Sequence, residues 1–109
     1  MKMNAYLIPG LKRLEDFVAE SFGVTVDDMK KPSRKRTWTE ARQFAMWYRK
    51  KFTKEPLKSI GKRYGGRDHA TVIHAAKTVN NLIETSPEFN GKAQQALNEI
   101  RKMNRIINV

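Results

Sequence analysis

Residues 65–76, GGRDHATVIHAA, set two glycines, an arginine, an aspartate, a histidine and a threonine directly before an apolar helical pattern. Their hydrogen-bonding habits differ. Arg67 only donates, ionised Asp68 only accepts, Thr71 does both, and His69 offers a ring face and a donor. Placed at a helix N-terminus, such side chains reach beyond the backbone tube. The positive end of the helix dipole and its free N–H groups there favour phosphate. Asp68 can cap the helix, and its carboxylate can also accept from a cytosine amino group. Thr71 can donate to phosphate or base, and Arg67 can neutralise backbone charge.

Other chemistries fit poorly. His69 and His74 are five residues apart, so they do not share a helical face as an i, i+4 zinc pair does. GKRYGG, residues 61–66, lacks the order of a nucleotide phosphate loop. No Ser or Cys nucleophile has a base and an orienting partner. We therefore expect no enzyme, no metal site and no cofactor.

Bulk properties agree with a polyanionic partner. The chain has 109 residues, 22 Lys plus Arg against 11 Asp plus Glu, and a formal charge of +11. That excess is large for solubility alone and points to nucleic acid or an anionic membrane face. No apolar run approaches the length of a membrane span, and residues 1–10 lack the features of a secretory signal. The absence of cysteine excludes disulfides and thiolate metal sites. A cytoplasmic, nucleoid-associated location is expected.

The elements that must position this corner read as helices throughout. Leu11, Leu14, Phe17, Val18 and Phe22 make one face of a first helix, and Gly23 stops it. Thr25 and Asp28 form a capping box for a short second helix. Pro32 then breaks the chain, and residues 30–36, KKPSRKR, read as an exposed basic arm. Thr37 and Glu40 look like a capping box for a third helix whose buried stripe is Ala41, Phe44, Ala45, Tyr48 and Phe52, with Arg42, Arg49 and Lys50 away from it. Trp38 and Trp47 read as packing residues. Pro56 opens a short fourth helix with Leu57, Ile60 and Tyr64 inward. A fifth starts near Asp68 and buries Val72, Ala75, Ala76, Val79 and Leu82; His74, beside that stripe, fits partial burial and a phosphate contact equally well. Ser86 and Pro87 start a sixth, with Phe89, Ala93, Leu97, Ile100, Met103 and Ile107 inward. The reading is an all-α domain of about six helices around one core. The fourth and fifth helices, about residues 56–83, form a helix-turn-helix, whose second helix enters the major groove. A basic arm beside such a unit is a recurring minor-groove device.

Residues 60–79, IGKRYGGRDHATVIHAAKTV, resemble the signature of the DNA-binding C-terminal domain of the bacterial replication initiator DnaA. SRKRTWTEARQFAMW, residues 33–47, resembles that domain's basic loop and long helix at matching spacing. The resemblance implies that residues 1–109 form one domain, with a Trp-repressor-like helix-turn-helix at about 56–83, that binds short asymmetric boxes in double-stranded DNA, in replication initiation or its regulation. It implies that Arg34 reads the minor groove and that Asp68, His69 and Ala70 face bases in the major groove. Arg42, Gln43, Lys50, Thr71 and His74 match positions on the phosphate backbone, and Arg36, Leu57 and Lys58 are weaker matches there. Two residues depart from the pattern. Ala70 stands where the family usually has threonine, leaving a methyl for a thymine methyl, and Lys58 stands where proline is common. The initiator's ATPase module has no counterpart, so the chain is expected to be either an excised domain or a free-standing small protein of a phage or mobile element. It would then occupy boxes, recruit other replication proteins, or compete. No membrane and no small-molecule substrate are expected. A structure-specific RNA binder is the alternative, and a helical adaptor with incidental charge is a third reading.

Overall fold

The computed structural model of the protein describes residues 13–107, with side chains through residue 103. Leu11 and the side chain of Ile107, both assigned above to buried stripes, lie outside the described residues. Among those described, six helices follow in order and there is no strand: α1 Leu14–Phe22, α2 Val26–Lys30, α3 Arg36–Phe52, α4 Leu57–Arg63, α5 His69–Thr85 and α6 Pro87–Ile107. The helical period therefore sets the fold class, as expected.

Local signals explain most boundaries. Gly23 adopts φ 71°, a left-handed conformation that costs glycine nothing, and its N–H closes α1 on the carbonyls of Ala19 and Glu20. The box at Thr25 is present: its hydroxyl accepts from the Asp28 N–H at 3.0 Å, and Asp28 accepts from the Thr25 N–H at 3.1 Å. Pro87 occupies the first turn of α6, and the Ser86 hydroxyl accepts from the Phe89 N–H.

The third helix differs from its expected start. It begins at Arg36, with Lys35 as N-cap, and no capping side chain is engaged. The competing arrangement is visible. Ser33 Oγ takes the Lys35 N–H at 3.1 Å, and Glu40 pairs with Arg36 at 3.2 Å instead of returning to Thr37. The non-helical basic segment is accordingly Lys31–Lys35, shorter than the expected 30–36. Pro56 likewise sits one residue outside α4 as its N-cap.

α3 packs against α1, α2, α4 and α5, which makes it the central helix. Ala41, Phe44 and Ala45 are fully buried and Trp47 is buried, as expected, but so is Met46. A helix surrounded on most sides buries more than one stripe. Phe52, assigned to that stripe, is 54% exposed because it lies in the last turn, past the neighbouring helices; it stacks on Tyr48 at 4.8 Å. The rings of Phe22, Phe44 and Phe89 meet at 5.4–6.4 Å and join α1, α3 and α6. Tilted and edge-on ring pairs of this kind add to the area term of the core.

Arg49 and Glu15 were not expected inside. Arg49 is 4% exposed and donates to Glu15 at 2.6 Å, to the Tyr64 hydroxyl at 2.9 Å and to Glu55 at 3.3 Å. Tyr64 in turn donates to Glu15 at 3.1 Å. Burial works to raise the Glu15 carboxyl, but the charge and hydrogen bonds of Arg49 and Tyr64 outweigh it and hold the carboxyl below its ordinary value. Burial, then the Glu15 charge, push the Tyr64 phenol up. The network ties α1, α3 and the end of α4 together from within.

Candidate nucleic-acid interface

Tyr64 is where the core network meets the turn. Its ring is fully buried, it caps the C-terminus of α4, and its carbonyl accepts from Arg67 Nε at 3.0 Å. The chain then reverses through Gly65 and Gly66, at φ 90° and 71°, both in the region L side chains rarely adopt. A Cβ on Gly65 would lie 2.5 Å from the carbonyl oxygen of Lys30, so the turn sits directly on the end of α2. The return crosses Gly61, buried inside α4, and the Arg67 N–H bonds to the Gly61 carbonyl at 2.9 Å.

α5 starts on this support. Asp68 is its N-cap, with Oδ1 accepting both the Thr71 N–H at 2.9 Å and the Thr71 hydroxyl at 2.8 Å. These bonds, the amide's first and then the hydroxyl's, keep the Asp68 carboxyl below its ordinary value, so it remains an ionised acceptor. Along α5 the two faces separate cleanly. Val72, Ala75, Ala76 and Val79 are buried, whereas Asp68, His69, Ala70, Thr71 and His74 are all exposed. His74 is therefore not a core histidine. Leu82 is half-buried.

The arm lies beside this face. Arg34 and Lys35 are exposed, and Lys31 and Lys35 each hold their ammonium 5.1 Å from the half-buried ring of Trp38. A cation over an aromatic face is attracted to it, so the indole supports the arm from below. Trp47, in contrast, is 5% exposed and donates through Nε1 to Asn80 of α5 at 2.9 Å.

Of the remaining sequence-assigned positions, Lys50 and Lys58 are exposed, and Gln43 and Leu57 are half-buried. Arg36 is exposed but paired with Glu40. Arg42 is placed differently from an open phosphate contact. It is 6% exposed, and its guanidinium donates to the carbonyls of Lys31 at 3.3 Å and Met29 at 3.5 Å and to Thr39 Oγ1 at 3.3 Å. Burial, with the charge of Arg67 behind it, lowers its pKa from the ordinary arginine value. Arg67, read above as able to neutralise DNA backbone charge, also turns inward: Nη2 donates to the Lys31 carbonyl at 3.1 Å.

Sequence reasoning passed over Gly61. The available signal was a glycine inside a helical run, which costs about 1 kcal/mol against alanine and so needs a packing reason. Among the described residues no group of three or more His, Asp or Glu side chains could hold a metal, and no helix is long and apolar enough to cross a membrane.

Residues 11–79 match the family described as the bacterial DnaA protein helix-turn-helix. The chain belongs to this family. The match takes in the arm, α3, the turn and α5 through Val79. Similar proteins are named chromosomal replication initiator protein DnaA. The one from Wolbachia sp. subsp. Brugia malayi is 43% identical over 93 residues, covering 85% of this chain and 19% of that protein. Flavobacterium psychrophilum has one 42% identical over 76 residues, 70% of this chain and 16% of its own length. That of Anaplasma marginale is 48% identical over 67 residues, 62% of this chain and 14% of its own. The chain thus spans about a fifth or less of these DnaA relatives.

Proposed function

We propose that this DnaA-type helix-turn-helix domain binds double-stranded DNA at short asymmetric sites like DnaA boxes, in replication initiation or its control. One observation carries the reading. The first two turns of α5 expose Asp68, His69, Ala70, Thr71 and His74 while Val72, Ala75, Ala76 and Val79 fix the same helix to the core. A helix held in this way can present its N-terminal side chains to base edges in the major groove.

Asp68 accepts from a base amino group, His69 packs or donates beside it, and the Ala70 methyl meets a thymine methyl. Arg34 enters the adjacent minor groove. Gln43, Lys50, Lys58, Thr71 and His74 hold phosphates, with Arg36 and the Leu57 backbone at the edge. Thr71 needs one local change: its hydroxyl proton, given to Asp68 in the free protein, passes to a phosphate oxygen. Arg42 acts at the same border by holding the end of α2. The function involves no catalytic step of its own, and the whole chain works as one DNA-binding domain in the cytoplasm, on the nucleoid.

Selection of bound sequences from a random duplex pool tests this. One asymmetric consensus should emerge, bound ~10³-fold or more tighter than bulk duplex. No consensus, or preference for structured RNA in competition, would overturn it.

A further inference from the structure

The carbonyl oxygen of Lys31 receives three donors. The Ser33 N–H lies at 2.8 Å, Arg67 Nη2 at 3.1 Å and Arg42 Nη1 at 3.3 Å. Lys31 is the first residue of the arm, and Arg67 stands one residue before the α5 N-cap. The guanidinium of Arg67 therefore bridges the root of the arm and the start of the helix, and its Nε is held by the Tyr64 carbonyl on the way. Gly65 lies flat against Lys30 at the same place. The rest of the arm is pinned too: Ser33 Oγ takes the Lys35 N–H, and Thr39 donates to the Ser33 carbonyl at 3.5 Å. Arg34 is exposed between these fixed points.

We propose that Arg67 is a positioning residue that locks the basic arm to the turn before α5, so that the arm and the helix address DNA at one fixed separation. This rests on the DNA-reading function above. A phosphate-binding arginine turns its donors outward, but Arg67 is half-buried and spends Nε and Nη2 on two carbonyls of different segments. A free arm would adapt to sites in which the minor-groove and major-groove subsites lie closer or farther apart. A locked arm rejects them, and spacing becomes part of the specificity.

The test uses the selected box and two variants with one base pair inserted or removed between the arm and helix subsites. The wild-type chain should bind both variants about tenfold or more weaker, the size of a serious mismatch. Arg67→Ala should lose affinity for the native box and bind all three within about threefold, well under that mismatch cost. Adding Arg34→Ala should then weaken all three alike, because the freed arm still carries Arg34 to each of them. Arg67→Lys, which keeps the charge but cannot span both carbonyls, should behave like Arg67→Ala. A uniform loss on every duplex with spacing preference intact would make Arg67 a phosphate contact and overturn the lock; so would unchanged binding. Amide exchange without DNA decides the lock separately. In Arg67→Lys the Ser33 and Lys35 amides should exchange faster while Val72 and Val79 stay protected. Unchanged arm protection would overturn the proposal. Failure of the wild type to select any sequence would instead remove the DNA reading.

Discussion

A Cβ added to Gly61 would overlap the carbonyl oxygen of Arg67. α4 and the chain returning into α5 thus touch backbone to backbone, and the Arg67 N–H seals the contact at 2.9 Å. Gly61→Ala should destabilise the domain in spite of a gain of about 1 kcal/mol in helix propensity. We expect a net loss of roughly 1–3 kcal/mol, as for overpacked cores. Thermal unfolding checks it, and a raised Tm would refute the close approach.

Base reading and folding should separate on α5. His69→Ala should leave Tm nearly unchanged and cost roughly 1–3 kcal/mol of discrimination at one or two base pairs. Val72→Ala should cost roughly 1–3 kcal/mol of stability with the same preferred sequence. Asp68→Asn keeps a capping oxygen but adds a donor, so base preference should shift with little loss of helix. Calorimetry with parallel site selection decides the matter; unaltered preference in both polar mutants would remove them from the base-reading set.

The arm and α3 should differ in kind. Arg34→Ala should relax preference at one base pair, because a minor-groove contact carries sequence information. Lys50→Ala should weaken all duplexes alike and reduce the salt slope by about one. Titrations at several salt concentrations distinguish the two.

Glu15 makes stability acid-sensitive. Its carboxyl titrates lower in the folded chain than its ordinary value of 4.5. The pair with Arg49 therefore contributes fully above about pH 4.5, the unfolded carboxyl's range, and is lost as pH falls through the lower folded value. Glu15→Gln should flatten that acid limb of Tm against pH. Arg49→Met should cost roughly 3–5 kcal/mol by stranding buried carboxylates, whereas Arg36→Ala, which breaks an exposed pair, should cost under about 1 kcal/mol.

Repeating local signals were legible in the sequence. Gly23, the box of Thr25 and Asp28, and the Ser86–Pro87 start each act within a turn, so their residues sit together in the chain. The division of α5 followed from its period, since Val72, Ala76 and Val79 can share one face. What stayed hidden depends on partners distant in sequence. Arg49 meets Glu15 across 34 residues, and Arg67 meets Lys31 across 36. A lone basic residue looks solvated until the carbonyl or carboxylate that claims it is known. The start of α3 was misplaced because Glu40 had two possible partners within reach, and Arg36 won.

The two tryptophans lie at different depths. Trp47 is buried, bonded to Asn80 with Lys51 of its own helix over the ring, while Lys31 and Lys35 of the arm stand over the half-buried Trp38. The protein thereby carries two intrinsic optical probes with separate duties. Trp47, being buried, should report unfolding through its emission. Trp38 should change when the ammonium groups above it leave the indole for a phosphate, so its fluorescence should follow the arm. Replacing either indole by phenylalanine turns the other into a single-site reporter, and the arm's arrival on a ligand can be timed against the helix without attaching a dye.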